Sequence, residues 1–294
     1  MCGMMLPKRL QTAHTILRAV NIETARVADH VSGELQGRMR LMWWREAVEA
    51  ACAGRNGPSA LPATYHTPVV LALSALAKNS PALDAGLLDR LVEARIAELD
   101  PSQPQEIYGL EQYAEQTQST MLYLLLQCAG YEEPIDPDAA VCRAASHIGN
   151  ALGLTILLQA APYLATQRQC PLPQTIMAHH SVPTEDFYRA ALAPSDTIEG
   201  GAAAPGSEAG VVSPDLIEVF YDVAGNAAVH LEHARSLQSD VPKEYRSLLL
   251  PAVLADDYLN KLQVRLESFF DQIIIVVQRK ATLRLASPAH LPHF

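Results

Sequence analysis

The feature that most constrains this fold is a stretch from Ala144 to Gln167 that contains no Asp, Glu, Lys or Arg. A helix of this length could span a membrane or form the buried centre of a helical bundle. The stretch is interrupted by His147, Asn150, Gln159 and Pro162. Polar residues are costly in a lipid-facing helix, so the core helix is favoured over the membrane span. Gly149 and Gly153 within it predict close packing against a neighbouring helix.

Helical spacing dominates the rest of the chain. Apolar residues recur at steps of three and four, as in amphipathic helices, from Ala13 to Val31 and again from Leu35 to Ala53. Ser or Asp followed by Pro predicts further helix starts at Ser80-Pro81, Asp136-Pro137 and Ser213-Pro214. No segment alternates with period two for long enough to demand a sheet. We therefore expect an all-α fold.

The length of the chain, 294 residues with 49% hydrophobic residues, is sufficient for one large core. We expect a single domain over residues 1–294. Between 193 and 214 the composition shifts to APSDTIEGGAAAPGSEAGVVSP, which predicts a flexible internal loop. The tail over residues 281–294 is expected to be poorly ordered.

Charge and cysteine content argue against several classes of protein. The net charge of -10, without a Lys/Arg stripe, disfavours nucleic-acid binding and simple electrostatic attachment to anionic lipid. The five cysteines form no Cys-x-x-Cys pair, which argues against a disulfide framework or a zinc site and fits a reducing compartment. The N-terminus shows no secretory signal and no evident transit peptide.

The long uncharged stretch also carries a family resemblance. Residues 146–173 read SHIGNALGLTILLQAAPYLATQRQCPLP. This resembles the second signature of the squalene/phytoene synthase family, in which an apolar helix leads into Asp-x-x-x-Asp and then Leu-Pro. Aligned from Leu172-Pro173, the two aspartate positions fall on Ala160 and Leu164.

The same loss of carboxylates is found upstream. Residues 18–33, RAVNIETARVADHVSG, resemble the first Asp-rich helix of that family, whose Asp-Asp-x-x-Asp pattern falls on Ala25, Arg26 and Asp29. We expect Arg26 to pair with Asp29, the one carboxylate left. In the family, facing carboxylates hold the Mg²⁺ ions that neutralise a leaving diphosphate. The resemblance therefore implies a non-catalytic relative, with no metal site and no cofactor.

Two further segments, residues 35–50 and 111–130, resemble the family in the right order, and weaker similarity continues to about Leu262. The resemblance is closest to the mitochondrial complex I (NADH dehydrogenase) assembly factor 6 branch. It implies an isoprenoid-synthase-like helical bundle around a central cavity. It also implies a role in assembling respiratory complex I at the matrix side of the mitochondrial inner membrane, with peripheral membrane association. The implied partners are complex I subunits or assembly intermediates.

Residues that would line the inherited cavity follow from the same resemblance. The candidates are Arg40, Trp43, Tyr113, Glu115 and His147. The cavity would take a lipid, an isoprenoid such as a quinone-like tail, or a nascent subunit helix. Family members have another helix before the Leu-Pro that is Leu6-Pro7 here, so we expect this chain to begin late.

Two other clusters have competing interpretations. Arg38, Arg40 and Arg45 surround Trp43-Trp44 and could form an anion-binding face. The favoured alternative is that one Trp is in the core and that the arginines pair with Glu34, Glu46 and Glu49. His230 and His233 share a helix face, but the third ligand of a metal site is missing, so a structural role is favoured.

Two alternative functions remain open at this point. The chain could be an active Mg-dependent prenyl-diphosphate transferase that uses the displaced carboxylates of Glu23, Asp29 and Glu115. It could instead be a permanent structural subunit of a mitochondrial complex.

Overall fold

A computed structural model describes residues 2–31, 33–53, 61–100, 102–191 and 213–262. Every regular element within these ranges is helical, which confirms the all-α prediction. The helices are α1 (Lys8–Ala25), α2 (Glu34–Ala53), α3 (Pro68–Asn79), α4 (Ala85–Ala97), α5 (Ile107–Ala114), α6 (Thr120–Cys128), α7 (Ala140–Thr166), α8 (Gln174–His179), α9 (Thr184–Ala191), α10 (Pro214–Ser236) and α11 (251–262). Short 3₁₀ turns lie at Cys2–Met5, Ala28–His30, Ala63–Tyr65 and Arg246–Leu249.

Two of the sequence expectations fall on residues outside these ranges. The tail, residues 281–294, lies wholly outside them, and so does the flexible loop expected at 193–214, apart from its last two residues. Pro214 is the first residue of α10, as the Ser-Pro signal predicts. The signals at Ser80-Pro81 and Asp136-Pro137 are followed by turns instead, and the next helices begin at Ala85 and Ala140.

The first helix is shorter than its apolar pattern predicts. Helix α1 ends at Ala25, and Asp29 lies in the following 3₁₀ turn. In the last turn of α1 the Thr24 hydroxyl donates to the carbonyls of Val20 and Asn21, at 2.9 and 3.1 Å. Such back-bonding by Thr slightly destabilises a helix and often bends it. Val27 is buried nonetheless, which extends the apolar pattern beyond the end of the helix.

The chain forms two compact units, which are described separately. The first comprises the described parts of residues 1–102, 108–154 and 226–256. Within it α2 packs on α3 and α4, while α1 packs on α3 and α6. Its largest fully buried side chains are leucines, among them Leu17, Leu41, Leu73, Leu88, Leu91, Leu124 and Leu126.

A π-turn at Glu115–Ser119 connects α5 to α6 and makes one helical rod from Ile107 to Cys128. Helix α7 approaches this rod through two glycines. A Cβ atom on Gly149 would lie 2.5 Å from the backbone N and Cα of Ser119, and one on Gly153 would lie 2.9 Å from the Cα of Ala114. These contacts confirm the predicted close packing, because any larger residue would push the two backbones apart.

By length and composition, α7 alone among the described helices is long and apolar enough to cross a membrane. In the structure 67% of its most apolar window is buried. This burial agrees with the core-helix alternative, in which protein and not lipid covers the uncharged face.

The second unit comprises the described parts of residues 103–107, 155–225 and 257–294. Phe187 and Phe220 are its largest fully buried side chains. The Gln103 amide donates to the carbonyl of Leu172 at 2.9 Å, and His180 pairs with Asp222 at 2.8 Å. These contacts tie the segment after α7 to the body of this unit.

Candidate functional site

A pocket of about 390 Å³ lies between the end of α1 and the middle of α2, and it is open to solvent. It is lined by Glu23, Arg26, Val27, His30, Arg40, Trp43 and Trp44. The structure thus brings together Arg26, which the sequence analysis aligns with an aspartate of the first motif, and two of the predicted cavity residues, Arg40 and Trp43. Sequence reasoning did not assign Val27 or His30 to a site.

The pocket carries two exposed guanidinium groups. Among the described residues neither Arg26 nor Arg40 forms an ion pair; Arg40 donates only to the carbonyl of His30, at 3.4 Å. The predicted pair between Arg26 and Asp29 is not found among the ion pairs of the described residues, and Asp29 lies in the 3₁₀ turn after α1. Instead, the backbone carbonyl of Arg26 contacts the His30 ring Nδ1 at 2.8 Å.

The other arginines near the tryptophans are occupied. Arg38 pairs with Glu34 at 3.0 Å, as the favoured alternative requires. Arg45 pairs with Asp89 at 2.6 Å and with Glu93, both on α4, which corrects the expected partners on α2. A sequence pattern within one helix could not reveal these partners on another helix.

The two tryptophans differ in burial. Trp44 is 8% exposed and belongs to the core, as expected for one of the pair, while Trp43 is half-buried. Their rings meet edge-on, with centroids 5.3 Å apart. Trp43 therefore forms a pocket wall that the core holds in place.

The two residues that the sequence analysis aligns with the second motif lie on α7, in the second unit. Ala160 and Leu164 are one helical turn apart and both are half-buried. Mg²⁺ needs oxygen ligands, and neither side chain supplies one, so the residues present do not fit the family's metal ion. Within the described ranges no three His, Cys, Asp or Glu side chains are grouped to hold a metal, and this includes Glu23, Asp29 and Glu115.

Glu115, a predicted cavity residue, opens the π-turn and is held on several sides. Its carboxylate accepts hydrogen bonds from Tyr123 and Ser146, both at 2.8 Å, and from Asn150 at 3.2 Å, and it pairs with Arg90 at 3.1 Å. Burial opposes its ionisation, but hydrogen bonds from Ser119, Tyr123 and Ser146 and the Arg90 charge outweigh that effect and lower its pKa. This arrangement stabilises the contact between the rod and α7, because it satisfies a partly buried charge.

Tyr113 belongs to a second buried network. Arg95, 6% exposed, donates to the Tyr113 hydroxyl at 2.5 Å, to Glu98 at 2.9 Å and to Asn21 at 2.9 Å, while Tyr113 donates to Glu98. Burial, followed by the negative charge of Glu98, raises the pKa of Tyr113. Sequence reasoning missed Arg95. Its spacing from Leu88, on the buried face of α4, was the available signal.

His147 lies in a chain of imidazoles. Its Nδ1 is 3.0 Å from Nδ1 of His230, and Nε2 of His230 is 3.3 Å from the Glu111 carboxylate. The ring centroids of His147 and His233 are 5.0 Å apart. Burial first, and then the charges of His230, His233 and Arg143, lower the pKa of His147 to about 4. A neutral His147 can share a hydrogen bond with His230, which is compatible with a structural role for the cluster, and that role stays a prediction.

A smaller pocket of about 20 Å³ lies between α1, α6 and α7 in the first unit. That volume holds about one water molecule. Tyr113, Glu115 and His147 line neither this pocket nor the larger one. A lipid or isoprenoid ligand for the inherited cavity therefore stays a prediction.

The similarity to known proteins extends over nearly the whole chain. The model of the squalene/phytoene synthase family matches residues 1–285. "NADH dehydrogenase (ubiquinone) complex I, assembly factor 6" of Rattus norvegicus is 35% identical over 283 residues, which are 96% of this chain and 74% of that protein. The Homo sapiens protein of that name is 33% identical over the same shares, 96% and 74%.

Two solved structures share the fold. A dehydrosqualene synthase in complex with ligand gives a TM-score of 0.68 at 16% identity, over 96% of this chain and 90% of that one. A squalene synthase from Alicyclobacillus acidocaldarius gives 0.62 at 14% identity, over 90% and 97%. These likenesses confirm the isoprenoid-synthase-like helical fold. The chain belongs to the squalene/phytoene synthase family, on the branch whose curated members are named complex I assembly factor 6.

Proposed function

We propose that this chain promotes the assembly of mitochondrial respiratory complex I and does not catalyse prenyl transfer. The observation that carries the proposal is similarity over nearly the whole chain to relatives named complex I assembly factor 6. The Rattus norvegicus protein of that name is 35% identical. The proposed setting is the matrix side of the inner membrane. The proposed partners are complex I subunits or assembly intermediates.

The chemistry of the motif positions supports the non-catalytic part of the proposal. Transfer from a prenyl diphosphate needs Mg²⁺ to stabilise the leaving group, and Mg²⁺ needs carboxylates that face one another. Ala160 and Leu164 stand on α7 where the second pair would be, and Arg26 brings a positive charge to the first. Asp29 alone, exposed on a 3₁₀ turn, is a poor substitute for the family's ligand set.

The test is native-gel quantification of the respiratory complexes in cells that lack the gene, with in-gel NADH dehydrogenase activity as the readout. We expect selective loss of complex I, with the other complexes unchanged. A copy with Asp29→Ala should restore complex I as well as the unaltered copy does, because this carboxylate would serve no metal. Normal complex I in the deleted cells would refute the assembly role.

Two further measurements separate the proposal from its alternatives. Mg-dependent turnover of farnesyl or geranylgeranyl diphosphate by the purified protein, lost in Asp29→Ala, would show a transferase. Stoichiometric co-purification with mature complex I would show a permanent subunit. An assembly factor should instead co-purify with incomplete intermediates.

A further inference from the structure

An exposed apolar stripe runs along α2 beside the larger pocket. Leu35, Met39 and Met42 are 73%, 67% and 38% exposed, and their spacing of four and then three residues places them on one helix face. Ile22, on α1, is 51% exposed. Contiguous large apolar side chains of this kind are unusual on a protein surface unless they meet a membrane or a partner.

Trp43 joins this stripe to the charged pocket. It follows Met39 by one helical turn and lines the pocket together with Arg40 and Arg26. Across the surface, the apolar stripe is therefore followed by the Trp43 indole and then by two guanidinium groups. Neither guanidinium group has a carboxylate partner among the described residues. This order matches the depth profile of a membrane surface, where apolar side chains enter the acyl region and Trp sits at headgroup level.

The chemistry of the pocket favours a phosphate group. Guanidinium groups bind phosphate oxygens through paired hydrogen bonds, and both Arg26 and Arg40 are exposed and free of ion pairs in the described structure. Glu23 is the one acidic residue in the lining. A volume of about 390 Å³ is of the size that holds a small molecule or a headgroup, and is small for a protein segment.

The overall charge of -10 does not prevent such contact. Charges farther from the membrane than about 8 Å are largely screened at physiological ionic strength, so the residues at the contact decide the interaction. Net charge alone disfavours attachment to anionic lipid, but the arginines and the apolar stripe at this surface favour it.

We propose that the pocket and the stripe form a docking surface for a membrane that contains anionic phospholipid. Arg26 and Arg40 hold the headgroup phosphate, while Leu35, Met39 and Met42 enter the acyl boundary. The inference deepens the proposed inner-membrane setting by naming the residues that make the contact. A test with purified protein does not depend on the assembly role.

The experiment is flotation of the purified full chain with vesicles of phosphatidylcholine, with or without roughly 20% phosphatidylglycerol. We expect the protein to float with the anionic vesicles and to dissociate as salt is raised. The double variant Arg26→Ala/Arg40→Ala should bind about 25-fold more weakly, since each arginine near an anionic surface contributes about fivefold. Arg38→Ala is the matched control, because Arg38 lies on the same helix but is paired with Glu34.

The apolar half is tested separately. Met39→Ser should weaken binding to the anionic vesicles about tenfold, by removing one buried apolar side chain from the acyl boundary. Leu71→Ser is the control, since Leu71 is 46% exposed on α3 in the same unit and is no part of the stripe. Its binding should equal that of the unaltered protein.

Each of the following outcomes would overturn the proposal. If the protein bound equally to both vesicle types, or if the double variant floated like the unaltered chain, the arginines would not contact a headgroup phosphate. Failure to float, combined with an arginine-dependent rise in melting temperature in inorganic phosphate, would reassign the pocket to a soluble phosphate. Unchanged flotation, combined with loss of complex I rescue in the double variant, would identify a protein partner instead. Failed flotation with intact rescue would leave the assembly role standing.

Discussion

Two regions of the first unit use polar side chains in opposite ways. Where the α5–α6 rod meets α7, the Glu115 carboxylate is satisfied by Arg90, Tyr123, Ser146 and Asn150. At the pocket between α1 and α2, two exposed guanidinium groups form no ion pair with any described residue. The predicted cavity residues thus fall into two groups: Tyr113, Glu115 and His147 are held in side-chain networks, while Arg40 and Trp43 line the open pocket.

The largest expected effect tests how tightly the rod and α7 are joined. Gly149→Ala places a Cβ 2.5 Å from the backbone of Ser119, and should lower the free energy of unfolding by about 3 kcal/mol or more. Urea denaturation measures it. Gly225→Ala is the control, because a Cβ there meets nothing within 4 Å and Ala favours a helix. A Gly149→Ala protein as stable as the unaltered chain would refute the close contact.

The next effect concerns the partly buried Glu115 carboxylate. Glu115→Ala removes an acceptor that Arg90 and three other donors share, and should cost about 2–3 kcal/mol of unfolding free energy at neutral pH. Glu34→Ala, which removes an exposed partner of Arg38, should cost less than about 0.5 kcal/mol. If both variants lost the same stability, Glu115 would be no better partnered than a surface residue.

The same carboxylate should give a pH signature. The folded pKa of Glu115 lies below its ordinary value of 4.5, so the unfolded chain takes up a proton first as pH falls. Its contribution is complete above pH 4.5 and is lost as pH falls through the folded pKa. The stability difference between the unaltered protein and Glu115→Ala should therefore narrow below pH 4.5, which acid titration of the unfolding free energy measures.

A smaller pH effect is expected at His147. The unfolded ring protonates near 6.5 and the folded ring near 4, so stability should fall as pH decreases through that window. Allowing for its partial exposure, we expect about 1 kcal/mol. His147→Gln should flatten this part of the stability profile between pH 7 and 4.5. An identical profile in the variant would assign the pH dependence to other groups.

The smallest expected effect is at the pocket. Arg26→Ala and Arg40→Ala should each change the unfolding free energy by less than about 0.5 kcal/mol, because neither side chain is buried or ion-paired in the described structure. Urea denaturation measures the change in unfolding free energy, and thermal melting provides a second readout. A loss above about 1 kcal/mol would show that the arginines stabilise the fold, and would weaken the contrast between the two regions.

Local patterns predicted the features that depend on neighbours in sequence. The helical periodicity, the Ser-Pro start of α10 and the close approach at Gly149 all follow from spacing and residue type. The end of α1 was missed because the apolar pattern continues to Val27 after the helix has stopped. The partners of Arg45 were missed because they lie on another helix, where only packing brings the charges together. The same holds for Asn21 and Tyr113, which accept hydrogen bonds from Arg95.

The residues that replace the family's aspartates were assigned by aligning the sequence with the two motifs. The structure places Ala160 and Leu164 on one face of α7, as the aligned Asp-x-x-x-Asp pair requires, and it places Asp29 outside α1. What these residues do in the protein stays a prediction, which the rescue experiment addresses.

The π-turn at Glu115–Ser119 has a consequence for comparing sequences across this family. A π-turn adds one residue to a helix, so residues on either side keep their faces only if the extra position is counted. Relatives with an uninterrupted α-helix here would need a one-residue gap, and without it every position of α6 would be matched to a neighbour about 100° away around the helix axis. Evolutionary rates or coupled substitutions computed from an ungapped alignment would then assign core positions to the surface.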